Sequence, residues 1–591
     1  WADSREAVIL NVRRQPGANV IATVDGVKQL LPRLRETLPG GVEVEILADR
    51  TQTIRASVAA VQFELLLAIA LVVAVIFLFL RSPRATLIPA VAVPISLIGT
   101  FGVMYLAGFT INNLTLMAMT VATGFVVDDA IVMIENIARH VEEGEPPLQA
   151  ALRGAKQIAF TIVSLTVSLV AVLIPLLFMG DVVGRLFREF AITLTVAILI
   201  SAVVSLTLTP MMCSRLLRPE SERREGRLSQ AVGDGFERII AAYMRALDVA
   251  LAHRGAVMGL FIASLVATVA LWIWMPKGFF PIQDTGAINL SIEGPQSISF
   301  EAMSELQQRV AAEVLADPAV SHVASFIGID GENPTLNMGR MLVALAPLEA
   351  RDASAEEVGR RLSQIGDRIP GVRIYAQPVQ DLSVEDRVSR ARYQLTLGAT
   401  DPDQLIRWTP AVLETLASLP GIRDVGTDLQ DRGLQAYIHI DRDAAARFGV
   451  SVAQIDQALY TALGQRAIST IYTQSNQYRV VLEHAPAFRR GLASLDSVHV
   501  ASADGGPIPL SRLARIEERP TLLSIQRVDQ LPAATLSFNL ERGASLGPAI
   551  ESARAALADI GLPPSIETRF EGAALAFQAS LLRPPGAEIP D

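Results

Sequence analysis

Cysteine is almost absent from this chain of 591 residues, and charge is scarce. The single cysteine, Cys213, excludes an internal disulfide framework and any zinc site built from cysteine ligands. Charged residues make up 19% of the sequence, and the net charge of -9 is spread along it. No basic patch with interleaved aromatic residues appears, which argues against nucleic acid as a partner. We also predict no cofactor, no resident metal and no catalytic residues.

The sequence has no recognisable secretory leader. Its opening, WADSREAVILNV, lacks a basic region followed by an apolar one. Near the other end, Pro584 and Pro585 are followed by Gly586 and acidic residues, which cannot begin a spanning helix. We therefore expect a longer protein truncated at both ends, with 582–591 as a tail foreign to the rest.

Long apolar runs are abundant instead. Hydrophobic residues make up 51% of the chain and the mean hydropathy is +0.37. The apolar residues are concentrated between 62 and 275, where six segments are each about long enough to span a bilayer. The segments lie near 62–80, 86–107, 113–138, 158–179, 187–209 and 256–275. This pattern predicts a multi-pass membrane protein with a bundle of transmembrane helices.

The loops between these segments differ in charge. RSPRA follows the first segment, Arg139, Arg153 and Lys156 follow the third, and many arginines follow the fifth, whereas AGFTINN is uncharged. Basic loops stay on the cytoplasmic side. Because six crossings is an even number, both flanking regions are expected on the opposite side, the periplasm of a bacterial inner membrane.

One stretch between the fifth and sixth segments is amphipathic. From about 226 to 253, apolar residues recur at helical spacing opposite charged ones. This pattern favours a helix lying on the cytoplasmic membrane surface. A soluble helix packed on a loop remains the alternative. The apolar positions are Phe236, Ile239, Ile240, Tyr243, Leu247 and Leu251.

The regions outside the membrane alternate strand and helix patterns. Residues 6–47 read as a βαβ unit with strands EAVILNV and VEVEIL, and 276–581 repeat the pattern. We expect α+β subdomains of the ferredoxin-like βαβ type. We predict a first soluble region at 1–57, a membrane domain at 58–275 and a second soluble region that begins at 276–433. A subdomain is inserted at 434–525, and the chain then returns to the second soluble region at 526–581.

An internal repeat links the two soluble regions. Gly17-Ala18 and Gly543-Ala544 follow matching strand patterns, and Leu38-Pro39 and Leu562-Pro563 follow matching helix patterns. Self-similarity of this kind indicates a duplicated architecture.

Asp128 and Asp129 lie near the middle of the third apolar segment. A carboxylate at that depth costs at least ~2.5 kcal/mol, so an intramembrane pair is a functional-site hypothesis by default. One alternative is a water-exposed kink or a misplaced helix end. A second is intramembrane aspartyl proteolysis, but neighbours on one helix point about 100° apart and cannot share one water. The third is proton coupling through shifted carboxyl pKa values.

Other polar residues could support a proton relay. Glu64, at the top of the first segment, and Glu135, seven residues after Asp128 on the same face, are candidates, as is Ser205. Ser201 and Thr207 belong to the same group. An ordinary hydrogen bond between helices is the alternative explanation for each of them. No Lys or Arg lies mid-membrane in the six segments, so a counter-charge would have to come from elsewhere.

Several motifs together resemble one known family. GFVVDDAIVMIENI, LRSPRATLIPAVAVPISLIGTFGVMYLAGFTINN and WMPKGFFPIQDTG are similar to the resistance–nodulation–cell division (RND) multidrug efflux transporters, acriflavine-resistance-type hydrophobe/amphiphile branch. The resemblance implies a trimeric inner-membrane antiporter of protons and drugs with twelve transmembrane helices. It also implies periplasmic porter subdomains, a docking subdomain at 434–525, an adaptor protein and an outer-membrane channel.

The resemblance assigns roles to particular residues. Asp128 and Asp129 correspond to the proton-relay acids, and the aromatic drug pocket corresponds to 325–342. There this chain offers Phe326, Met338, Met341 and Leu342, for which core packing is an equal alternative. Two more functions stay open at this point. One is a metal exporter that uses the Met338 and Met341 thioethers, and the second is an inactive structural or assembly fragment.

Overall fold

The computed structural model describes residues 1–15, 17–80, 82–217, 227–275, 278, 281–329, 335–381, 389–488 and 491–582. Most of the chain is helical in its first half and mixed α/β in its second. The helices are α1 (Val20–Thr37), α2 (Thr51–Leu80), α3 (Pro83–Leu106), α4 (Asn113–Glu142), α5 (Pro147–Leu177), α6 (Asp181–Leu216), α7 (Arg227–Ala252), α8 (Arg254–Trp274), α9 (Phe300–Leu315), α10 (Ala355–Ser363), α11 (Ile365–Arg368), α12 (Pro402–Ser418), α13 (Arg442–Arg447), α14 (Val452–Leu463), α15 (Leu546–Ile560) and α16 (Gly572–Leu582).

The strands of the described residues all follow the helix bundle. They are β1 (Ala287–Glu293), β2 (Val320–Ile327), β3 (Met338–Leu345), β4 (Arg373–Pro378), β5 (Tyr393–Ala399), β6 (Ile422–Thr427), β7 (Gly433–Ile440), β8 (Arg466–Tyr472), β9 (Gln477–Leu482), β10 (His499–Ala501), β11 (Pro507–Pro509), β12 (Ala514–Thr521), β13 (Gln526–Val528), β14 (Leu531–Leu540) and β15 (Ile566–Glu571).

Six helices of the described chain are long and apolar enough to cross a membrane, as the hydropathy pattern predicts. They are α2 to α6 and α8. Two begin eleven residues earlier than predicted, α2 at Thr51 and α5 at Pro147. Polar residues at these ends hide the start from a hydropathy window. The start of α2 is fixed by Asp49, whose carboxylate accepts hydrogen bonds from the Thr51 N–H and hydroxyl at 2.8 and 2.7 Å.

Helix α4 lies at the centre of the bundle. On one side it contacts α6, where Ala118 and Ala122 lie against Ala197 and Ile198. On another side it contacts α2 and α3 through a second apolar cluster, which includes Ile76 of α2, Val93 of α3 and Val127 of α4. The start of α4 is closed by a capping box, in which the Asn112 side chain accepts from the Leu114 and Thr115 N–H groups. No residue of α8 is buried by the described chain.

Helix α7 occupies the stretch whose sequence predicts an amphipathic helix. Its bounds, Arg227–Ala252, are close to the predicted 226–253. Ile239, Ile240 and Tyr243 are exposed along one side. The Phe236 side chain lies outside the part of the structure that is described.

The first α+β lobe follows the helix bundle. Its strands form an antiparallel sheet in the order β2-β3-β1-β4. The chain runs strand, helix, strand, strand, helix, strand, and α9 and α10 cover one face of the sheet. Met303 and Val310 of α9 meet Val358 and Leu362 of α10 over the sheet residues Ile288, Leu290 and Ile292.

The second lobe repeats this arrangement. Its strands lie in the order β6-β14-β5-β15. In both lobes the second strand along the chain is thus at one edge, followed by the third, the first and the fourth. The short strand β13 also pairs with β14. Its core contains Leu395, Leu397 and Phe538. Gly543 has φ of +87°, and Gly17 has φ of +81°. Each lies three residues before its helix, so the two glycines of the sequence repeat share a backbone conformation that favours glycine.

A separate unit is inserted between β6 and β13. It contains a long ribbon of β7 and β12, the hairpins β8–β9 and β10–β11, and helices α13 and α14. Its own core includes Ile455, Leu495 and Leu510. Ile471, Tyr472 and Tyr478 on the β8–β9 hairpin are exposed.

The two strands predicted in the N-terminal region are not present. Residues 6–12 and 42–47 belong to no strand, and Val8 is 90% exposed. A strand needs a partner for its backbone groups, and the described chain offers none here. Ala2 instead forms a bridge to Ala324 at the edge of β2, where Trp1 and Ser325 exchange two backbone hydrogen bonds of 2.8 Å. The predicted helix between them is present as α1.

Candidate functional site

The acid pair lies mid-way along α4, which is continuous from Asn113 to Glu142. Asp128 is roughly 22 Å from the start of this helix at 1.5 Å per residue. The interpretation of the acids as a misplaced helix end is therefore wrong. Asp129 is buried, with 9% of its surface exposed, whereas Asp128 is exposed. The difference follows from the rotation of about 100° between neighbours on a helix, which also argues against a shared catalytic water.

Asp128 belongs to a stripe of α4 that the described chain leaves uncovered. The stripe continues through residues at spacings of three and four, which lie on one helix face. Glu135 lies on this stripe, as the sequence predicts from its spacing. The exposed positions are Val121, Gly124, Asp128, Val132, Glu135 and Arg139.

Helix α6 holds the opposite side of α4 in place. The Ser201 hydroxyl of α6 donates a 3.0 Å hydrogen bond to the backbone carbonyl of Val126, two residues before Asp128. Ser205, one turn further along α6, is also buried. Thr207 is exposed and donates to Val203 of its own helix, so it is not directed at the acids.

Glu64 is not at the top of its helix, as its place in the predicted segment suggests. Because α2 begins at Thr51, Glu64 lies roughly 20 Å along it at 1.5 Å per residue. Glu64 is exposed, and the next residue, Leu65, contributes to the cluster in which Ile76 and Val127 meet. Helix α2 therefore runs beside the part of α4 that carries the acids.

The four predicted ligand residues of the first lobe do not share a surface. Met341 is 1% exposed and lies in the core beneath the helices. Phe326, Met338 and Leu342 are partly exposed on the opposite sheet face, because side chains alternate along a strand. The Arg340 guanidinium lies 5.8 Å from the centre of the Phe326 ring on that face. Residues 330–334, within the predicted pocket, lie outside the described residues.

The open sheet face also carries an ion pair that the sequence does not reveal. Arg390 Nε lies 3.1 Å from Glu293 Oε2, and its terminal nitrogen lies 3.8 Å from Met338 Sδ. Tyr375 is close by, and burial followed by the Glu293 charge raises the pKa of its hydroxyl. The two charged residues are 97 positions apart, so no local pattern could have indicated them.

Gly426 brings the second lobe against this ion pair. A Cβ at Gly426 of β6 would lie 3.1 Å from both the Arg390 Cδ and the Tyr375 hydroxyl oxygen. Arg390 therefore connects β1 of the first lobe with β6 of the second.

No group of three or more His, Cys, Asp or Glu side chains placed to hold a metal occurs among the residues that the structure describes. Met338 and Met341 lie on opposite faces of β3, so their two thioethers cannot bind one soft ion together.

These features define a multi-pass membrane protein of the RND transporter class: six apolar helices, an acid pair inside one of them, and two lobes with the same strand order. The sequence matches the model of the AcrB/AcrD/AcrF family over residues 1–585. The chain therefore belongs to the AcrB/AcrD/AcrF family. This is a family of efflux transporters, which fits the transporter, rather than enzyme, character expected from the sequence.

Proposed function

We propose that this chain is the proton-coupled part of an exporter of amphipathic compounds. The observation that carries the proposal is the pair Asp128 and Asp129 in the middle of a continuous apolar helix. Carboxylates are expensive in hydrocarbon and neutral carboxyl groups are less so. Protonation and release at this pair therefore change how α4 can sit against its surroundings, and inward proton flow supplies the free energy for export.

The two acids have different surroundings and therefore different roles in the relay. Asp129 lies against the rest of the bundle, and Asp128 lies on the uncovered stripe with Glu135. A cation or water must approach Asp128 from that stripe when it is ionised, since no lysine or arginine lies mid-span in the described helices. Glu64 and Ser205 support the relay from α2 and α6.

Movement of the bundle can reach the soluble lobes through the start of α2. Arg50, directly before α2, donates a 3.0 Å hydrogen bond to the backbone carbonyl of Gln380 after β4. The Gln380 side chain in turn binds the backbone N–H of Gln283, before β1, at 2.9 Å. A shift of α2 would thus act on both ends of the first lobe, and the lobes would alternate between access and extrusion states.

The lobes are the porter subdomains, of the ferredoxin-like kind, in this proposal. The open face carrying Phe326, Met338 and Leu342 binds the exported compound, since flexible methionine and apolar side chains suit varied amphipathic ligands. Met341 is left out because it lies in the core. The unit from β7 to β12 docks onto an outer-membrane channel, a periplasmic adaptor lies alongside, and three protomers form the pump.

The same proposal places the chain in a bacterial inner membrane with both lobes in the periplasm. Arginines cluster in the loops at one end of the bundle, and the loop 107–112 at the other end carries no charge. A metal-exporting function is less well supported, because Met338 and Met341 point to opposite faces.

Replacing each acid tests the coupling. Asp128→Asn and Asp129→Asn, made in the full-length protein that carries this sequence, are expected to reduce export of a lipophilic dye from energised cells by at least about tenfold. Asp128→Glu keeps a carboxyl group and serves as the matched control, which should retain part of the rate. Export at the wild-type rate by either asparagine variant, with equal protein in the membrane, would falsify the proposal.

A further inference from the structure

A second polar cluster lies at the Glu142 end of α4, beyond the acid pair. We call it the His140 cluster: it consists of Asn136 and His140 on α4, Gln157 on α5, and the carboxylates Glu143 and Glu145. The His140 side chain is the buried centre of the cluster, with 6% of the residue exposed. Buried polar atoms in folded proteins are nearly always hydrogen-bonded, so both ring nitrogens of His140 are expected to have partners.

The hydrogen bonds of the cluster are mutually consistent. The Asn136 amide nitrogen donates to the Gly154 carbonyl at 3.1 Å, and the Asn136 amide oxygen accepts from the Arg139 guanidinium at 2.7 Å. The same nitrogen donates to Gln157 Oε1 at 3.2 Å. Gln157 Oε1 thus acts as an acceptor, and it lies 2.8 Å from His140 Nε2. The imidazole is therefore held with a proton on Nε2.

The other ring nitrogen is left without a hydrogen bond. His140 Nδ1 is buried and has no partner at hydrogen-bond geometry in the described chain. Carboxylate oxygens of Glu143 and Glu145 lie 3.5 and 3.9 Å away. In the neutral ring with its proton on Nε2, Nδ1 carries a lone pair, and this lone pair faces the two carboxylates.

His140 lies on the same side of α4 as Asp129. Asp129, Met133, Asn136 and His140 follow one another at spacings of four, three and four, and all are buried. His140 is eleven residues after Asp129, which corresponds to roughly 16 Å along the helix. The cluster is thus in line with the buried acid, at the end of the span where the basic loops lie.

Close approach of α4 and α5 keeps the cluster together. A Cβ at Gly154 would lie 2.8 Å from Ile137 Cγ1, so only glycine allows this contact. That contact brings the Gly154 carbonyl within reach of Asn136.

Charged residues surround the cluster on each element that packs at this end of the bundle. Helices α3, α5 and α6 meet α4 here around Ile137 and Val141. The Arg153 guanidinium pairs with Glu145. The charged and titratable residues at this end are Arg84 of α3, Arg139 and Glu142 of α4, Glu143 and Glu145 of the loop after α4, Arg153 and Lys156 of α5, and Arg215 of α6.

We infer that His140 is the group through which protons leave the acid pair for the cytoplasm, an inference that rests on the proposed proton-coupled export. A proton released from Asp129 passes by water to His140 Nδ1, which becomes positively charged and faces Glu143 and Glu145. The same proton then passes to water on the cytoplasmic side, and the ring returns to its neutral form. In each cycle the His140 ring takes up one proton and releases one proton, and no other bond is made or broken.

Removal and chemical replacement of the imidazole test this role. His140→Ala, in the full-length protein, is expected to slow proton-driven dye export in proteoliposomes at least about tenfold. Millimolar imidazole on the cytoplasmic side should restore much of the rate, because it can occupy the space left by the side chain and carry the proton. His253→Ala is the matched control, since His253 is exposed at the junction of α7 and α8 and should leave the rate unchanged.

His140→Gln provides a second variant that keeps a hydrogen-bond donor toward Gln157. With a constant pH difference across the membrane, the wild-type rate should fall as both sides are acidified together and the cytoplasmic side passes from about pH 8 to 5, the range in which histidine changes charge. This fall should be smaller in His140→Gln. An unchanged pH profile, or a loss in His140→Ala that imidazole does not restore, would overturn the role of His140. If Asp129→Asn also exports normally, the proposed function itself fails.

Discussion

Asp284 shows how one carboxylate can organise the start of a lobe. It lies directly before β1, and its oxygens accept hydrogen bonds from the Arg351 guanidinium at 2.5 Å and the Ala355 N–H at 2.8 Å. Burial on its own raises the pKa of Asp284, but the hydrogen bonds from Arg351, Ala355 and Gly286 outweigh it and hold the pKa below its usual value. Asp284 thereby fixes Arg351 and the first turn of α10.

Asp284→Asn is expected to destabilise the first lobe by about 3 kcal/mol, because the nearly buried Arg351 loses its partner. Hydrogen exchange in peptides from β1 and α10 should become faster. Asp367→Asn, at an exposed position of α11, should change the free energy of unfolding by less than about 0.5 kcal/mol. Equal protection in both variants would contradict the role of Asp284.

The same carboxylate predicts a pH dependence. A depressed pKa in the folded state means that the stabilisation is present above the ordinary aspartate range, about pH 4, and is lost as the pH falls through the folded value. The wild-type protein should therefore lose protection in α10 as the pH falls below about 4. Asp284→Asn, which is already destabilised, should show a smaller pH effect on the same peptides.

At the scale of whole elements, α4 and α5 meet where glycine is required. Gly154→Ala places a methyl group against Ile137 and should destabilise the bundle by about 1–3 kcal/mol. Gly102→Ala is the matched control, since a Cβ at Gly102 of α3 meets nothing within 4 Å. A thermal melt of the purified protein should show the loss for Gly154→Ala alone. Identical melting temperatures would mean that the helices can separate freely here.

The ion pair between the lobes is a second test at this scale. Arg390→Met leaves Glu293 partly buried without its partner and should cost about 3 kcal/mol. The double variant Arg390→Met/Glu293→Met should recover most of this loss, since an apolar pair has no charge to desolvate. Thermal unfolding of the single and double variants distinguishes the outcomes. A double variant no more stable than Arg390→Met would show that the charge is not the cause.

For the whole molecule, the orientation of the bundle can be measured by cysteine labelling. Cys213 is the only cysteine and is buried, so Cys213→Ala provides a background without reactive thiols. In that background, Leu148→Cys should react with a membrane-impermeant reagent only from the cytoplasmic side, and Thr110→Cys only from the periplasmic side. Both positions are exposed at opposite ends of the bundle. Reaction of both from one side would contradict six crossings.

The sequence alone determined what depends on local chemistry. The six apolar spans follow from hydropathy and α7 follows from helical periodicity, although α2 and α5 begin eleven residues before the predicted segments. The acid pair stood out because charge is costly in an apolar run, whatever surrounds it. The ends of α2 and α5 were missed because polar residues continue a helix as readily as apolar ones.

Tertiary structure decided which residues face each other. Sequence could not separate buried Asp129 from uncovered Asp128, or core-facing Met341 from Met338, because the face that is covered depends on the neighbouring element. The alternation at Val8 and Leu10 formed no strand, since a strand exists only with a partner. The pairing of Arg390 with Glu293 and the partners of His140 depend on contacts between distant segments, which folding alone brings together.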